Sequence, residues 1–495
     1  MRQPSLFLLV CALSIASGPF VKAADPLRDS VVKIHCTQRL PDFVRPWTKA
    51  NPRQLSGSGV ILDGKRILTN GHVVMYATRI LVQANQSTER VPATVVAIAP
   101  GIDLALLKLD DETLFDTHPP LQIAAGFPRI KDTVNAYGYP MGGEQLSVTE
   151  GIISRIEYTG FAYNTLGLRI QVDAALNPGN SGGPAIAAGK IVGLVVSTIR
   201  NADNIGYLIA ADEIRMFLQD VKDGKYDGKP KIRDFMQTVE NRALRAKLGL
   251  KTGTGGLMIT DVHTEDASYP LKRWDVITKI GDHPLDNQGN VKVDDELRLS
   301  FRYFVPKLVK DGHVPATLLR DGKVVKVDVP VYYGSDQLIP YLQGAYPPHF
   351  ICGPLVFSSA SQELLAGLGS RGQALLAARR SPVISRRFER RKQPDQQLVV
   401  LGARMFTDPM TEGYDDQIFA VVTHVNDVKI KNLAHLVTTI RDAKGKFIVF
   451  RLAGSYETIV FERDAMIQAT EQILENEGIR YQMSSDLRDI WSPAK

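Results

Sequence analysis

The sequence predicts a mainly β chain built from several units, a pair of barrels or a sandwich in front and smaller α+β units behind. Three observations lead there. The chain has 495 residues, more than one hydrophobic core serves at roughly 100–200 residues per domain. Short strand-like runs separated by turn residues fill the chain up to about Ile209, the pattern of an all-β unit. Beyond that point helical stretches alternate with strand pairs. Composition is that of ordinary globular protein, with 44% hydrophobic and 23% charged residues. Lys and Arg number 59 against 53 Asp and Glu, a net charge of +6, too even a balance to argue for nucleic acid or an anionic membrane as partner.

In chain order, residues 1–23 read as a secretory signal. Arg2 gives a positive start, an apolar run follows, and Val21-Lys22-Ala23 presents small residues for cleavage after Ala23 or Ala24. The run is shorter than the ~20 residues that span a bilayer, and no later segment is apolar enough to span one. The expected product is exported, periplasmic or secreted. Two cysteines remain, Cys36 and Cys352, far apart and without the Cys/His neighbours a metal site needs; they read as buried free thiols, with a structural disulfide as the alternative in an exported protein. No metal and no cofactor is expected.

The first unit is set at 24–225. Val32, Ile34 and Cys36 alternate as a half-buried strand should. Further runs fall at 59–62, 66–68, 79–83, 93–98, 104–109, 133–137, 147–156, 168–172 and 190–198, and a helix from Ala211 closes the unit. Residues 223–230 read as a linker. A second unit, 231–335, holds a helix at 241–248, a glycine-rich turn at 253–256, a strand at 257–262 and a hairpin around Asp321-Gly322. A third, 336–463, carries an arginine-rich stretch (371–392), read as a solvated helical insertion or subunit contact, and a helix at 433–443. Residues 464–495 are a helix and tail.

Three segments carry chemistry. Thr69-Asn70-Gly71-His72 follows a strand, Gly101-Ile102-Asp103 begins one, and Asn177-Pro178-Gly179-Asn180-Ser181-Gly182-Gly183-Pro184 is a glycine-dense loop between strands. The order His, Asp, Ser is that of the chymotrypsin-type triad. A serine hydroxyl needs a base at neutral pH; imidazole serves, and a carboxylate fixes its tautomer. His72 is the candidate base, Asp103 the orienting carboxylate and Ser181 the nucleophile. Gly179, Asn180 and Ser181 form the candidate oxyanion hole, with the N–H groups of Gly179 and Ser181 as donors and Asn180 shaping the loop.

Together with Gly57-Ser58-Gly59-Val60, Gly138-Tyr139-Pro140 and Asn204-Ile205-Gly206-Tyr207, these segments resemble the HtrA/Deg family of ATP-independent serine proteases. The resemblance implies a chymotrypsin-like double β-barrel followed by two PDZ-like α+β domains, the second degenerate as in the larger plant-type relatives. It implies an endopeptidase that degrades unfolded or damaged exported polypeptides and a homo-oligomer built on trimers. It implies a substrate pocket near Thr198 and Ile199, and a peptide-receiving loop and strand at Gly255, Gly256, Leu257 and Met258. Arg273-Trp274-Asp275 resembles the family's Pro-Gly-Asp turn with tryptophan in place of glycine, so that turn is expected to differ. The competing reading is a peptide-binding chaperone or scaffold with a resting protease site.

Overall fold

The computed structural model describes residues 27–196, 206–453 and 457–492. Twelve strands form two closed six-stranded barrels. The first takes β1 (Val31–Gln38), β2 (Arg53–Leu62), β3 (Arg66–Thr69), β4 (Ala77–Gln83), β5 (Val91–Ala99) and β6 (Leu104–Leu109). The second takes β7 (Thr133–Gly138), β8 (Ser147–Gly160), β9 (Leu166–Val172), β10 (Pro184–Ala187), β11 (Lys190–Val196) and β12 (Gly206–Ala210). Closure leaves neither sheet with a free edge.

The two-residue period of a strand decides what joins the barrels. On β6, Ala105 and Leu107 point into the first barrel with Ile34, Ile61 and Val82. Leu104 and Leu106 point the other way and meet Tyr137, Tyr139, Ile186 and Ile209 of the second barrel. The helix Ala211–Asp220 adds Ile214 and Phe217 to that seam.

The second unit is a sheet in the order β13 (Phe235–Thr238), β14 (Leu257–Asp261), β15 (Val276–Ile280), β19 (His313–Arg320), β20 (Lys323–Pro330), with β16 (His283–Pro284) beside β15. A separate pair, β17 (Asn290–Lys292) and β18 (Arg298–Ser300), completes it. The β19–β20 hairpin turns at Asp321 and Gly322, both at positive φ, as a two-residue loop requires. Its core is continuous with the interior of the second barrel. Phe127 and Tyr158 of the barrel pack on Tyr303, whose hydroxyl donates to Asp212 at 2.8 Å. The segment expected as a linker is likewise tied down: Lys229 pairs with the buried Glu213 and donates to the Leu166 carbonyl at 3.0 Å.

The third unit orders its strands β21 (His349–Cys352), β22 (Leu355–Ser359), β23 (Val399–Leu401), β24 (Val421–Val425), β26 (Phe447–Ala453), β27 (Thr458–Glu462), with β25 (Val428–Lys429) beside β24. The helix Leu433–Arg441, capped by the Asn432 side chain, covers it. Met466, Met483 and Leu487 from the C-terminal segment share this same core, so residues beyond 463 pack as part of the third unit. Cys36 and Cys352 are free and buried, and burial pushes both thiols up to about 12. Among the described residues no helix is long and apolar enough to cross a membrane.

Trp274 corrects one expectation. It takes φ 72°, the left-handed conformation a glycine would adopt without strain, so the handedness of the turn survives the substitution. Asp275 holds it there. This carboxylate, 1% exposed, accepts two bonds from Arg320 at 2.8 and 2.6 Å and one from the Lys272 N–H at 2.7 Å. Asp275→Ala removes three charge-assisted bonds but leaves Arg320 a quarter exposed to water, so it should cost about 2 kcal/mol. Chemical denaturation will read this as a lower midpoint at unchanged slope.

Candidate active site

The path from β3 to His72 is short. Asn70 ends the strand, and the single helical turn Gly71–Val74 presents the imidazole at the barrel rim. Asp103 arrives from the other side, after the tight turn Pro100–Ile102, in a left-handed conformation with φ 58°. An aspartate tolerates this better than most residues, and the Asn70 side-chain amide donates to its carbonyl at 3.0 Å.

The Asp103 carboxylate uses both oxygens on one residue. Oδ1 accepts the His72 backbone N–H at 2.8 Å, and Oδ2 lies 2.8 Å from His72 Nδ1. An ionised carboxylate only accepts, so Nδ1 carries the proton and Nε2 is left with a lone pair. Burial disfavours the charged imidazole, but the hydrogen bond and charge of Asp103 outweigh it and hold the His72 pKa above its ordinary 6.5. The backbone behind the ring is pinned as well: Gln38 donates to the His72 and Val73 carbonyls at 2.9 and 3.1 Å, while Arg53 fixes Gln38.

Ser181 lies in the β9–β10 connection and is 4% exposed. Its loop starts with a turn closed by Asn180 N–H to the Asn177 carbonyl, 3.1 Å. Pro178 and Gly179 (φ 101°) hold the two central positions, as a type II turn demands. The Met141 N–H donates to the Pro178 carbonyl at 2.7 Å. In a trans peptide the next N–H points the opposite way, so the Gly179 N–H faces away from Met141. The Asn180 N–H is engaged in closing the turn. Asn180 therefore shapes the loop and does not supply an oxyanion donor.

Ser58 of β2, in sequence only a serine between glycines, joins the two barrels at this loop. Its N–H donates to the Ser181 carbonyl at 2.8 Å. Its hydroxyl donates to the Gly179 carbonyl and accepts the Tyr139 N–H, both at 2.8 Å. Thr69 in turn donates to the Ser58 carbonyl at 2.7 Å. Gly182 makes the approach achievable: a Cβ there would lie 2.2 Å from the Ser58 carbonyl oxygen.

The other expected sites fare differently. Thr198 and Ile199 lie outside the described residues. Gly255, Gly256, Leu257 and Met258 are a correction. Leu257 pairs with both Thr238 and Ile277, and Met258 with both Gln237 and Val276. Both edges of β14 are taken, so no peptide strand can add to it. Among the described residues no three His, Cys, Asp or Glu side chains gather as metal ligands.

Comparison with known proteins bears on this arrangement. Residues 57–194 match the trypsin-like peptidase domain, and residues 340–486 match a PDZ domain. The chain is 34% identical to Protease Do-like 2, chloroplastic, of Arabidopsis thaliana, over 93% of this chain and 75% of that protein. It is 32% identical to Protease Do-like 4, mitochondrial, of the same plant, over 82% and 76%. Among solved structures, the HtrA-type protease AlgW with tripeptide aligns at 25% identity and TM-score 0.48, over 63% of this chain and 95% of that one.

Ser58 is fully buried, so Ser58→Ala leaves the Tyr139 N–H and the Gly179 carbonyl without this partner. The expected cost is about 2 kcal/mol, measurable by thermal or chemical denaturation, and Ser58→Thr should recover part of it.

Proposed function

The chain belongs to the HtrA/Deg family of Do-like serine proteases, and from that membership we propose that His72, Asp103 and Ser181 hydrolyse peptide bonds of unfolded or damaged polypeptides by acyl-enzyme chemistry. The observation that carries the assignment is the two-point grip of Asp103 on His72, which leaves Nε2 as the acceptor a nucleophilic serine needs.

The steps follow from this geometry. Ser181 Oγ attacks the scissile carbonyl as His72 Nε2 takes its proton. The new imidazolium is stabilised by Asp103, the same influence that raises the His72 pKa. The carbonyl oxygen becomes an oxyanion, which the Gly179 and Ser181 N–H groups receive; one such donor contributes on the order of 3–4 kcal/mol to the transition state. His72 then returns the proton to the leaving amine, and water, activated by the same base, releases the acyl group from Ser181. No step calls for a cofactor or for ATP.

Substrate class, location and assembly rest on the family and on the N-terminal sequence. We place the protein among exported quality-control proteases, routed by residues 1–23 and assembled from trimers. The relatives' names include chloroplastic and mitochondrial proteins, so N-terminal sequencing of the mature chain decides where its leader ends.

Casein or another unfolded chain should be cleaved by the wild type, and Ser181→Ala should lose at least about 10⁴-fold in kcat. Equal turnover by both proteins would refute the assignment. Equal inertness with suppression of aggregation would favour a chaperone. The acid limb of kcat/KM reports the free enzyme's base. His72 must be neutral to act, so activity should rise with pH through a value above 6.5. The stability contributed by the charged His72–Asp103 pair runs the other way: it is full at low pH, below the unfolded histidine's pKa, and is lost as pH rises through the folded one.

A further inference from the structure

The third unit reaches the first barrel through residues 341–346, and this contact falls beside the candidate catalytic pair. The loop is built to keep its shape. The Glu363 carboxylate accepts the Leu342 N–H at 2.8 and 3.0 Å and the Gln343 N–H at 3.2 Å. Gly344 follows at φ 89°. A Cβ on Gly344 would lie 3.1 Å from Met75 Sδ and 3.8 Å from Pro100 Cγ. Met75 caps the helical turn that carries His72, and Pro100 opens the turn that ends at Asp103. One loop from a distant unit thus abuts both arms of the pair.

Tyr346 extends the grip. Its hydroxyl donates to the Arg39 carbonyl at 2.7 Å, and the Arg39 N–H donates to the Tyr76 carbonyl at 3.0 Å. Its ring packs on Tyr76 at 5.3 Å, with the Lys49 ammonium 4.1 Å from the ring centre. Tyr341 meets Tyr163 edge-on at 5.3 Å, and the Tyr163 hydroxyl lies 3.8 Å from Met75 Sδ. Between these contacts Tyr76 is held at φ 61°. A left-handed backbone is strained for a tyrosine and persists only where its surroundings over-determine it. Without the loop, the relaxation of Tyr76 would be transmitted through Met75 directly to the His72 turn.

We propose that the 341–346 loop, through Gly344 and Tyr346, is a positioning element that keeps the His72–Asp103 pair in register for proton transfer. The proposal rests on the reading of that pair as catalytic. The third unit is then part of the machinery that sets turnover, beyond any part it has in assembly.

The test uses the full chain and a short chromogenic peptide, which needs no PDZ-like unit for capture. Tyr346→Ala, Tyr346→Phe and Glu363→Gln are compared with wild type for kcat, KM, pH profile and melting temperature. Tyr346→Ala and Glu363→Gln should lower kcat about tenfold or more with KM within about twofold, the signature of lost alignment. Their acid limb should move to lower pH, because a looser Asp103 contact removes the influence that raises His72. Tyr163 and Arg169, which also interact electrostatically with Asp103, are unchanged in every variant. Tyr346→Phe keeps the ring and should recover much of the loss. If Tyr346→Ala fails to fold, Glu363→Gln carries the loss prediction, with Tyr346→Phe as the conservative control. Wild-type kcat with an unmoved acid limb in folded Tyr346→Ala or Glu363→Gln overturns the proposal, as does a kcat loss in them without the pH shift. Ser181→Ala in parallel separates the two levels: if it cleaves as the wild type does, the catalytic reading itself has failed.

Discussion

Ser58 sits where two independently closed barrels must agree on one position. The base and its carboxylate belong to the first barrel, the candidate nucleophile to the second. Apolar packing at the seam brings the barrels together, but it is non-directional and tolerates sliding. Hydrogen bonds supply the register. From one fully buried residue, the backbone N–H, hydroxyl and carbonyl engage Ser181, Gly179, Tyr139 and Thr69. Each bond contributes only about 1 kcal/mol net, yet leaving any of them unmade in a dry seam costs more, so the arrangement resists small displacements.

The later units extend the same logic outward. Asp212, on the helix that closes the second barrel, accepts from Tyr303 and pairs with Lys307 of the second unit. Phe43 and Trp47, from the β1–β2 connection, pack into apolar clusters of the third unit. Arg390, from the arginine-rich stretch, reaches back over Phe235 and pairs with Asp336. At least this arginine has an intramolecular use, which is neither a solvated face nor a contact between subunits. The chain is thus a set of cores that share walls.

Much of this was legible in the sequence because the chemistry needs particular residues close together in the chain. Asn-Pro-Gly-Asn spells a type II turn, and the left-handed Asp103 and the His72 turn each sit at the end of a clear strand. Other features depend on partners far away in sequence. The four residues of β13 carry no strong strand signal, so β14 read as open when both its edges are paired. Nothing local marks Ser58 as more than a serine between glycines. Trp274 at positive φ defeats a rule written for glycine, and its support is the neighbouring Asp275, whose partner Arg320 lies 45 residues on. The Glu363 clamp on residues 342–343 is likewise a tertiary fact. Residues 223–230 look like a linker by composition, although Lys229 finds a buried carboxylate.

The central claim is that one serine, activated across this seam, is the nucleophile. The most direct measurement is labelling of the full chain with a serine-reactive fluorophosphonate, followed by peptide mapping in the mass spectrometer, with His72→Ala alongside. The account predicts one adduct per chain on Ser181, and its loss in His72→Ala. An adduct on another residue, or equal labelling without the histidine, would contradict it.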